Sequence, residues 1–234
     1  MICKNCSTEF QGNYCNNCGQ KKVINKLNLK DIWNDLISSI INYETGFLRT
    51  IFSLVVKPKE IITDYINGKQ KSYYNPIKLL FIILTIKTFI EIKLINNSTK
   101  ELIKNNKLIA TITENDFFKL SQIILLIPIL SFLSYFFFKR YKYNFTEHIL
   151  INTYALSISS VFVILYYLIN TIIGNGNTGT IGVLIDLLLF SWVYVNLFDK
   201  NRFLSIIKAI LIMILGYLLF IMPIIGITRY FNVF

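Results

Sequence analysis

Long apolar runs constrain the fold of this chain more than any other feature of its sequence. Apolar residues make up 54% of the 234 residues, and Leu, Ile and Phe crowd into five stretches after residue 76. A helix that spans a bilayer needs roughly 20 mostly apolar residues. The sequence therefore predicts an all-α integral membrane protein with about five transmembrane helices, at 77–95, 117–138, 149–173, 181–198 and 203–227.

The charges between these stretches predict an orientation. Lys139, Arg140 and Lys142 lie between the second and third stretches, and Lys200 and Arg202 lie between the fourth and fifth. The link between the third and fourth stretches carries no charge. Because short basic links stay cytoplasmic, we expect the N-terminus inside and the C-terminus outside. We expect the membrane to be the cytoplasmic (inner) membrane of a bacterium.

All four cysteines lie near the N-terminus in two Cys-x-x-Cys pairs, Cys3 with Cys6 and Cys15 with Cys18. Two such turns direct four thiolates at one ion in the tetrahedral geometry of structural zinc. So small a head has no hydrophobic core, and metal binding must supply its folding free energy. We expect a structural zinc ribbon, with a redox pair, two disulfides or an iron site as alternatives. Four sulfur ligands leave no open position for catalytic water.

The segment after the cysteines contains two apolar patterns. Apolar residues at helical spacing over 28–41, including Trp33, predict an amphipathic helix. That helix packs on the bundle or lies in the headgroup plane. The apolar run 47–56 is too short to span a bilayer, and Lys57-Pro58 ends it before a short helix over 59–67.

A basic and aromatic stretch precedes the first predicted span. Such a composition is typical of an interfacial anchor or a lipid-headgroup site. Its residues are Lys69, Lys71, Tyr73 and Tyr74. The chain thus divides into a zinc ribbon (1–22), an amphipathic and interfacial helical linker (23–75) and a transmembrane helical bundle (76–234).

Cys18-Gly19-Gln20 at the end of the head, residues 45–58 and residues 65–76 together resemble one family. It is an uncharacterised bacterial membrane family, the domain of unknown function 3667. Glu147-His148, before the third span, is also similar to that family. The family has no assigned activity, so the resemblance implies an architecture and leaves the mechanism open.

Charged residues inside predicted spans are costly and mark functional candidates. Lys87 and Glu91 are four residues apart in the first span, so they share one helix face and can pair. With Asp186 of the fourth span they form a candidate intramembrane polar site, and internal ion pairing is the alternative. His148, the single histidine, lies beside Glu147. We expect a capping or interfacial role there, with a lipid-headgroup contact as its candidate function.

Three functions fit these features. The first is a membrane-embedded interaction or scaffold protein whose cytoplasmic zinc ribbon binds a protein partner. The second is a small transporter or channel with a polar path along Lys87, Glu91 and Asp186. The third is an intramembrane enzyme that uses Glu147 and His148. The sequence carries no phosphate loop, nucleophile elbow, zinc-protease helix or nucleotide fingerprint, which lowers the expectation of enzyme activity.

The same features suggest partners. The lipid bilayer is the first, and the excess of basic residues, a net charge of +11, favours anionic headgroups within it. A protein bound at the ribbon is the second. Nucleic acid is not an expected partner.

The charge pattern yields a test of topology. A reporter that is active only in the cytoplasm should be active when fused at the N-terminus and inactive when fused after Phe234. The reason is that an odd number of spans separates the two ends. Activity of the reporter at both ends would contradict five spans.

Overall fold

A computed structural model describes residues 1–22, 46–94, 116–173, 179–198 and 201–230. Seven α-helices occupy these ranges, which confirms the all-α prediction for the described residues. They are α1 (Phe47–Val56), α2 (Pro58–Ile66), α3 (Pro76–Leu94), α4 (Asp116–Phe137), α5 (Phe145–Ile173), α6 (Gly179–Leu197) and α7 (Arg202–Tyr230). A 3₁₀ turn at Lys139–Tyr141 lies between α4 and α5, and two isolated backbone bridges lie in the head.

A helix lies at each of the five predicted spans, and α3 to α7 follow them in order. Within the described ranges, Phe145–Ile173 and Arg202–Pro223 are long and apolar enough to cross a membrane. Leu125–Phe137 and Ile181–Leu197 are shorter apolar segments. The count of five spans stays a prediction.

The start of α5 differs from the predicted span, because the helix begins at Phe145 rather than at residue 149. The backbone amide of Glu147 donates to Asn144 Oδ1 at 2.8 Å, and the amide of Asn144 donates to the Glu147 carboxylate at 2.7 Å. This reciprocal pair is a capping box, which satisfies two N–H groups that a helix start leaves without partners. The cap therefore extends the helix into a polar stretch that hydropathy had excluded.

The predicted break at Lys57-Pro58 is confirmed. Pro58 occupies the first turn of α2, where its missing N–H costs nothing. The chain leaves α2 through Gly68, whose φ of 104° favours glycine. The predicted amphipathic helix over 28–41, with Trp33, lies outside the described residues.

Helix α5 is the centre of the bundle. Helices α3, α4 and α6 each pack against it, and α7 packs against α4 and α6. The short helices α1 and α2 also contact α5. As a result, residues 150–160 of α5 are all buried, including several polar ones. Those polar side chains must find partners inside the bundle.

Gly216 allows α7 to lie close against α4. A Cβ atom added there would lie 2.5 Å from Leu130 Cδ2, and Leu130 is fully buried. We expect Gly216→Ala to lower the melting temperature of the purified protein, because Leu130 must shift at a cost of roughly 1–3 kcal/mol. Gly182→Ala is the control, since its Cβ would meet the end of the Tyr167 side chain at 3.2 Å or more, a milder approach than the one at Gly216. Equal melting temperatures for wild type and Gly216→Ala would contradict this close approach.

Candidate functional site

Two equivalent turns build the head, and each carries one Cys-x-x-Cys pair. The amide of Ser7 donates to the carbonyl of Cys3, and the amide of Gly19 donates to that of Cys15, both at 2.9 Å. Ser7 and Gly19 are left-handed, with φ of 60° and 68°. The position after each pair therefore needs a residue that tolerates this conformation. Gly19 does so freely, whereas serine pays a steric cost.

These turns bring the four sulfur atoms together, all within 4.8 Å of one another. The contacts between the turns are Cys3 to Cys18 at 3.6 Å and Cys6 to Cys15 at 3.5 Å. Four sulfurs bound tetrahedrally at about 2.3 Å from one ion would lie about 3.8 Å apart. All four cysteines are free thiols. The donor set therefore fits one metal ion held by both turns.

Thr8 controls the electrostatics at Cys6. Its hydroxyl lies 3.3 Å from Cys6 Sγ. Hydrogen bonds with the Thr8 side chain and backbone lower the pKa of the Cys6 thiol to about 6. Burial raises the pKa of Cys18 to about 11. Because the thiolate is the metal-binding form, binding of a metal by the four cysteines would release protons.

The head contacts the loop between α2 and α3 through two amide side chains. Asn5 Oδ1 accepts hydrogen bonds from the backbone amide of Ser72 at 3.1 Å and from its hydroxyl at 2.8 Å. Gln20 Oε1 accepts one from the amide of Lys71 at 3.0 Å. Asn5 lies between the first two cysteines and Gln20 just after the last. Both Cys-x-x-Cys turns, which we call the knuckles of the head, therefore take part in docking.

Three of the predicted lipid-headgroup residues, Lys69, Tyr73 and Tyr74, lie in this loop and have partners in α1 and α2. Lys69 Nζ lies 3.0 Å from Asp64 Oδ2, and the Tyr73 hydroxyl donates to the same oxygen at 3.1 Å. Burial and this carboxylate raise the pKa of Tyr73 to about 12. The amide of Tyr74 donates to Thr50 Oγ1 at 2.9 Å. Lys71 is exposed, so it presents its side chain outward while its amide holds the head.

A ring of buried polar side chains cross-links α4, α5 and α6. Asn152 Nδ2 donates to Ser131 Oγ at 3.2 Å and to Ser134 Oγ at 3.1 Å. The Tyr194 hydroxyl donates to Asn152 Oδ1 at 2.7 Å. Ser134 Oγ lies 2.9 Å from His148 Nδ1. Apart from His148, these residues were not predicted from the sequence, although Ser131, Ser134 and Asn152 are polar interruptions of predicted spans.

Ser134 and His148 have the spacing of a nucleophile and its base. Both side chains are fully buried, and the His148 ring lies parallel to Phe198. His148 Nε2 has no hydrogen-bond partner among the described residues. The cluster therefore forms part of a packed core, and His148 lies away from the surface where a headgroup would bind.

Two of the three predicted intramembrane charges, Lys87 and Asp186, lie together in the structure. Lys87 Nζ of α3 lies 3.6 Å from Asp186 Oδ2 of α6, and both side chains are mostly buried. The side chain of Glu91 lies outside the described residues. Lys208 in α7 donates to the carbonyl of Phe137 at 2.9 Å. An ion pair between helices neutralises both of its charges, which lowers the cost of burying them.

These observations define a class of protein. The described chain is an all-helical protein with two helices capable of crossing a membrane and a four-cysteine head that can hold a metal ion. Residues 44–88 match the family described as "Protein of unknown function (DUF3667)", which confirms the resemblance over that segment. The matched segment contains α1, α2, the docking loop and the first part of α3. No curated protein and no solved structure matches the chain.

The head geometry predicts one metal ion per chain. Replacing one cysteine of each knuckle, as in Cys3→Ser with Cys15→Ser, should remove that ion because two sulfur ligands cannot complete a tetrahedral site. Elemental analysis of the purified full chain measures the metal content. Asn16→Ser, between the second pair of cysteines, should leave it unchanged. A wild-type chain without metal, or a double variant with full metal content, would show that the cysteines hold no ion.

Proposed function

We propose that the chain is a membrane-embedded interaction or scaffold protein. Its cytoplasmic zinc-ribbon head presents a fixed surface to a protein partner. The observation that carries this proposal is the docking of the head on the loop before α3 through Asn5 and Gln20. A head on a free tether would lose more conformational entropy on binding a partner than a docked one does.

Zinc is the proposed metal, and its role is structural. Four thiolates suit zinc and leave it no open position, so the ion would fold the head and would not do chemistry. Asn5 and Gln20 are placed by the two knuckles. Metal binding would therefore create the docking surface as well as the fold. A chelator should release the head from the loop.

The proposed setting is the cytoplasmic membrane of a bacterium, with five spans and the head inside. Two helices of sufficient length and apolar character support a membrane location. The basic residues at 139–142 and 200–202 support the orientation. Reducing conditions inside the cell would also keep the four cysteines available to metal.

A small transporter or channel is the second candidate. It is favoured by the ion pair between Lys87 and Asp186, which joins two of the proposed spans. We rank the scaffold above the transporter because the charges of Lys87 and Asp186 neutralise each other, as they would in a structural ion pair. An intramembrane enzyme ranks third, since Glu147 caps α5 and His148 is enclosed by neighbouring side chains.

Hydrogen exchange on the zinc-loaded full chain tests the docking. In Asn5→Ala with Gln20→Ala, the amides of Lys71 and Ser72 lose their acceptors. We expect each to exchange about fivefold faster, because a hydrogen bond contributes about 1 kcal/mol. Asn17→Ala is the matched control, since Asn17 holds the equivalent place in the second knuckle and donates to Thr8 at 3.1 Å instead of the loop.

The scaffold function has its own readout. A protein that copurifies with the intact chain should be lost from the Cys3→Ser, Cys15→Ser variant while that variant remains in the membrane. Retention of the same partners after the metal site is removed would exclude the ribbon as the interaction surface. Unchanged exchange at Lys71 and Ser72 in the docking variant would exclude the fixed head.

A further inference from the structure

Helix α1 has an apolar face that the rest of the described chain leaves uncovered. Leu48, Phe52 and Val56 are 64%, 68% and 72% exposed. They are four residues apart and therefore lie on one side of the helix. On the other side, Thr50 and Leu54 are buried against the bundle. We call Leu48, Phe52 and Val56 the α1 stripe.

Contacts at Tyr74 set the position of α1 along the bundle. Thr50 accepts a hydrogen bond from the amide of Tyr74, and the Phe47 ring meets the Tyr74 ring edge-on at 5.4 Å. The Tyr154 hydroxyl of α5 donates to the carbonyl of Tyr74 at 3.1 Å. Tyr74 lies just before Pro76, where α3 begins. Helix α1, the start of α3 and Tyr154 therefore share one level.

Helix lengths place that level at a bilayer boundary. At 1.5 Å per residue, the 19 residues of α3 extend about 28 Å from Tyr74. In the five-span topology α5 runs in the same direction, and from Tyr154 to Ile173 it extends roughly 30 Å. Both lengths match the hydrocarbon core of a bilayer, about 30 Å thick. Both lengths therefore agree with a cytoplasmic boundary at the level of Tyr74.

The polar part of α5 agrees with this boundary. Residues before Tyr154 would extend past it on the cytoplasmic side, and they include Glu147, His148 and Asn152, which are polar and buried within the protein. Polar groups of this kind would be costly at the level of the acyl chains. The charge distribution also agrees, because Arg49 on α1 and Lys57 at its end are exposed.

We propose that α1 is an interfacial anchor whose stripe inserts into the cytoplasmic leaflet, with Arg49 and Lys57 at the level of the lipid phosphates. The proposal rests on the membrane location in the proposed function. It also separates the roles of neighbouring segments: the loop at 69–75 holds the head, while α1 holds the lipid. An amphipathic helix at the boundary would bury its apolar face in this way.

Photocrosslinking of the full chain in phosphatidylethanolamine and phosphatidylglycerol vesicles tests the anchor. Benzoylphenylalanine replaces Phe52, and in a second variant Leu48, with little effect on folding because both side chains are exposed. Leu218, exposed on α7, is the positive control, and Gln11, exposed in the head, is the negative control. Mass spectrometry of the intact protein measures lipid adducts. We expect adducts at Phe52, Leu48 and Leu218, at least fivefold above those at Gln11.

The pattern of crosslinks at Phe52, Leu48 and Leu218 decides whether the α1 stripe contacts lipid. Lipid adducts at Leu218 without adducts at Phe52 and Leu48 would overturn the anchor and leave the membrane location intact. Absence of adducts at Leu218 as well would overturn the membrane location itself. Crosslinks from Phe52 to a second copy of the chain, seen as a covalent dimer, would mean that protein covers the stripe and would also overturn the anchor.

Discussion

The backbone of the loop between α2 and α3 needs hydrogen-bond partners from outside the loop, and the arrangement of the other parts depends on how it finds them. The amides of Lys71 and Ser72 donate to the head, and the amide of Tyr74 donates to α1. The carbonyl of Tyr74 accepts from Tyr154 in α5. Each such hydrogen bond contributes about 1 kcal/mol. Satisfying these groups therefore joins the head, α1 and α5 at one place.

The loop at the centre of this junction, together with α1, lies within the segment that matches the DUF3667 family. The matched segment holds α1, α2, the loop and the first part of α3, whereas the cysteines lie before it. The head adds Asn5 and Gln20 to the junction, and both side chains are positioned by turns that metal would stabilise. A metal bound by the four cysteines would therefore influence the orientation of the head through Asn5 and Gln20.

The polar side chains inside the bundle likewise bond to groups on other helices. Asn152 pairs with Tyr194 and with two serines of α4, and Lys87 pairs with Asp186. Asn152 and Lys87 each lie on a helix that is otherwise mostly apolar. Because Asn152 is fully buried, its side chain needs partners within the protein, and α4 and α6 supply three of them. Such cross-links fix which helices are neighbours, a task that apolar contacts perform with less selectivity.

The sequence by itself determined the helical architecture. Apolar runs of spanning length, the stop at Lys57-Pro58 and the glycine after α2 act locally, so spacing and composition were enough to locate the five long helices and the short helix α2. The apolar run 47–56 was visible in the sequence, but it was not predicted to form the helix α1. The spacing of Cys3, Cys6, Cys15 and Cys18 was likewise enough to predict a metal site, because two short turns fix the geometry of their own ligands. The start of α5 was misplaced, since hydropathy does not register the Asn144–Glu147 cap.

Only the tertiary structure decided which distant residues meet. Lys87 pairs with Asp186, which lies about a hundred positions away in the sequence. The sequence placed both residues in one candidate polar site, but helical spacing could suggest a specific partner for Lys87 only on its own helix, at Glu91. The docking of Asn5 on Ser72, the ring around Asn152 and the contacts that align α1 with Tyr154 also join residues that are far apart in the sequence. Periodicity reports the face on which a residue lies. It does not report which element packs on that face, because helix packing depends on the shapes of both surfaces at once.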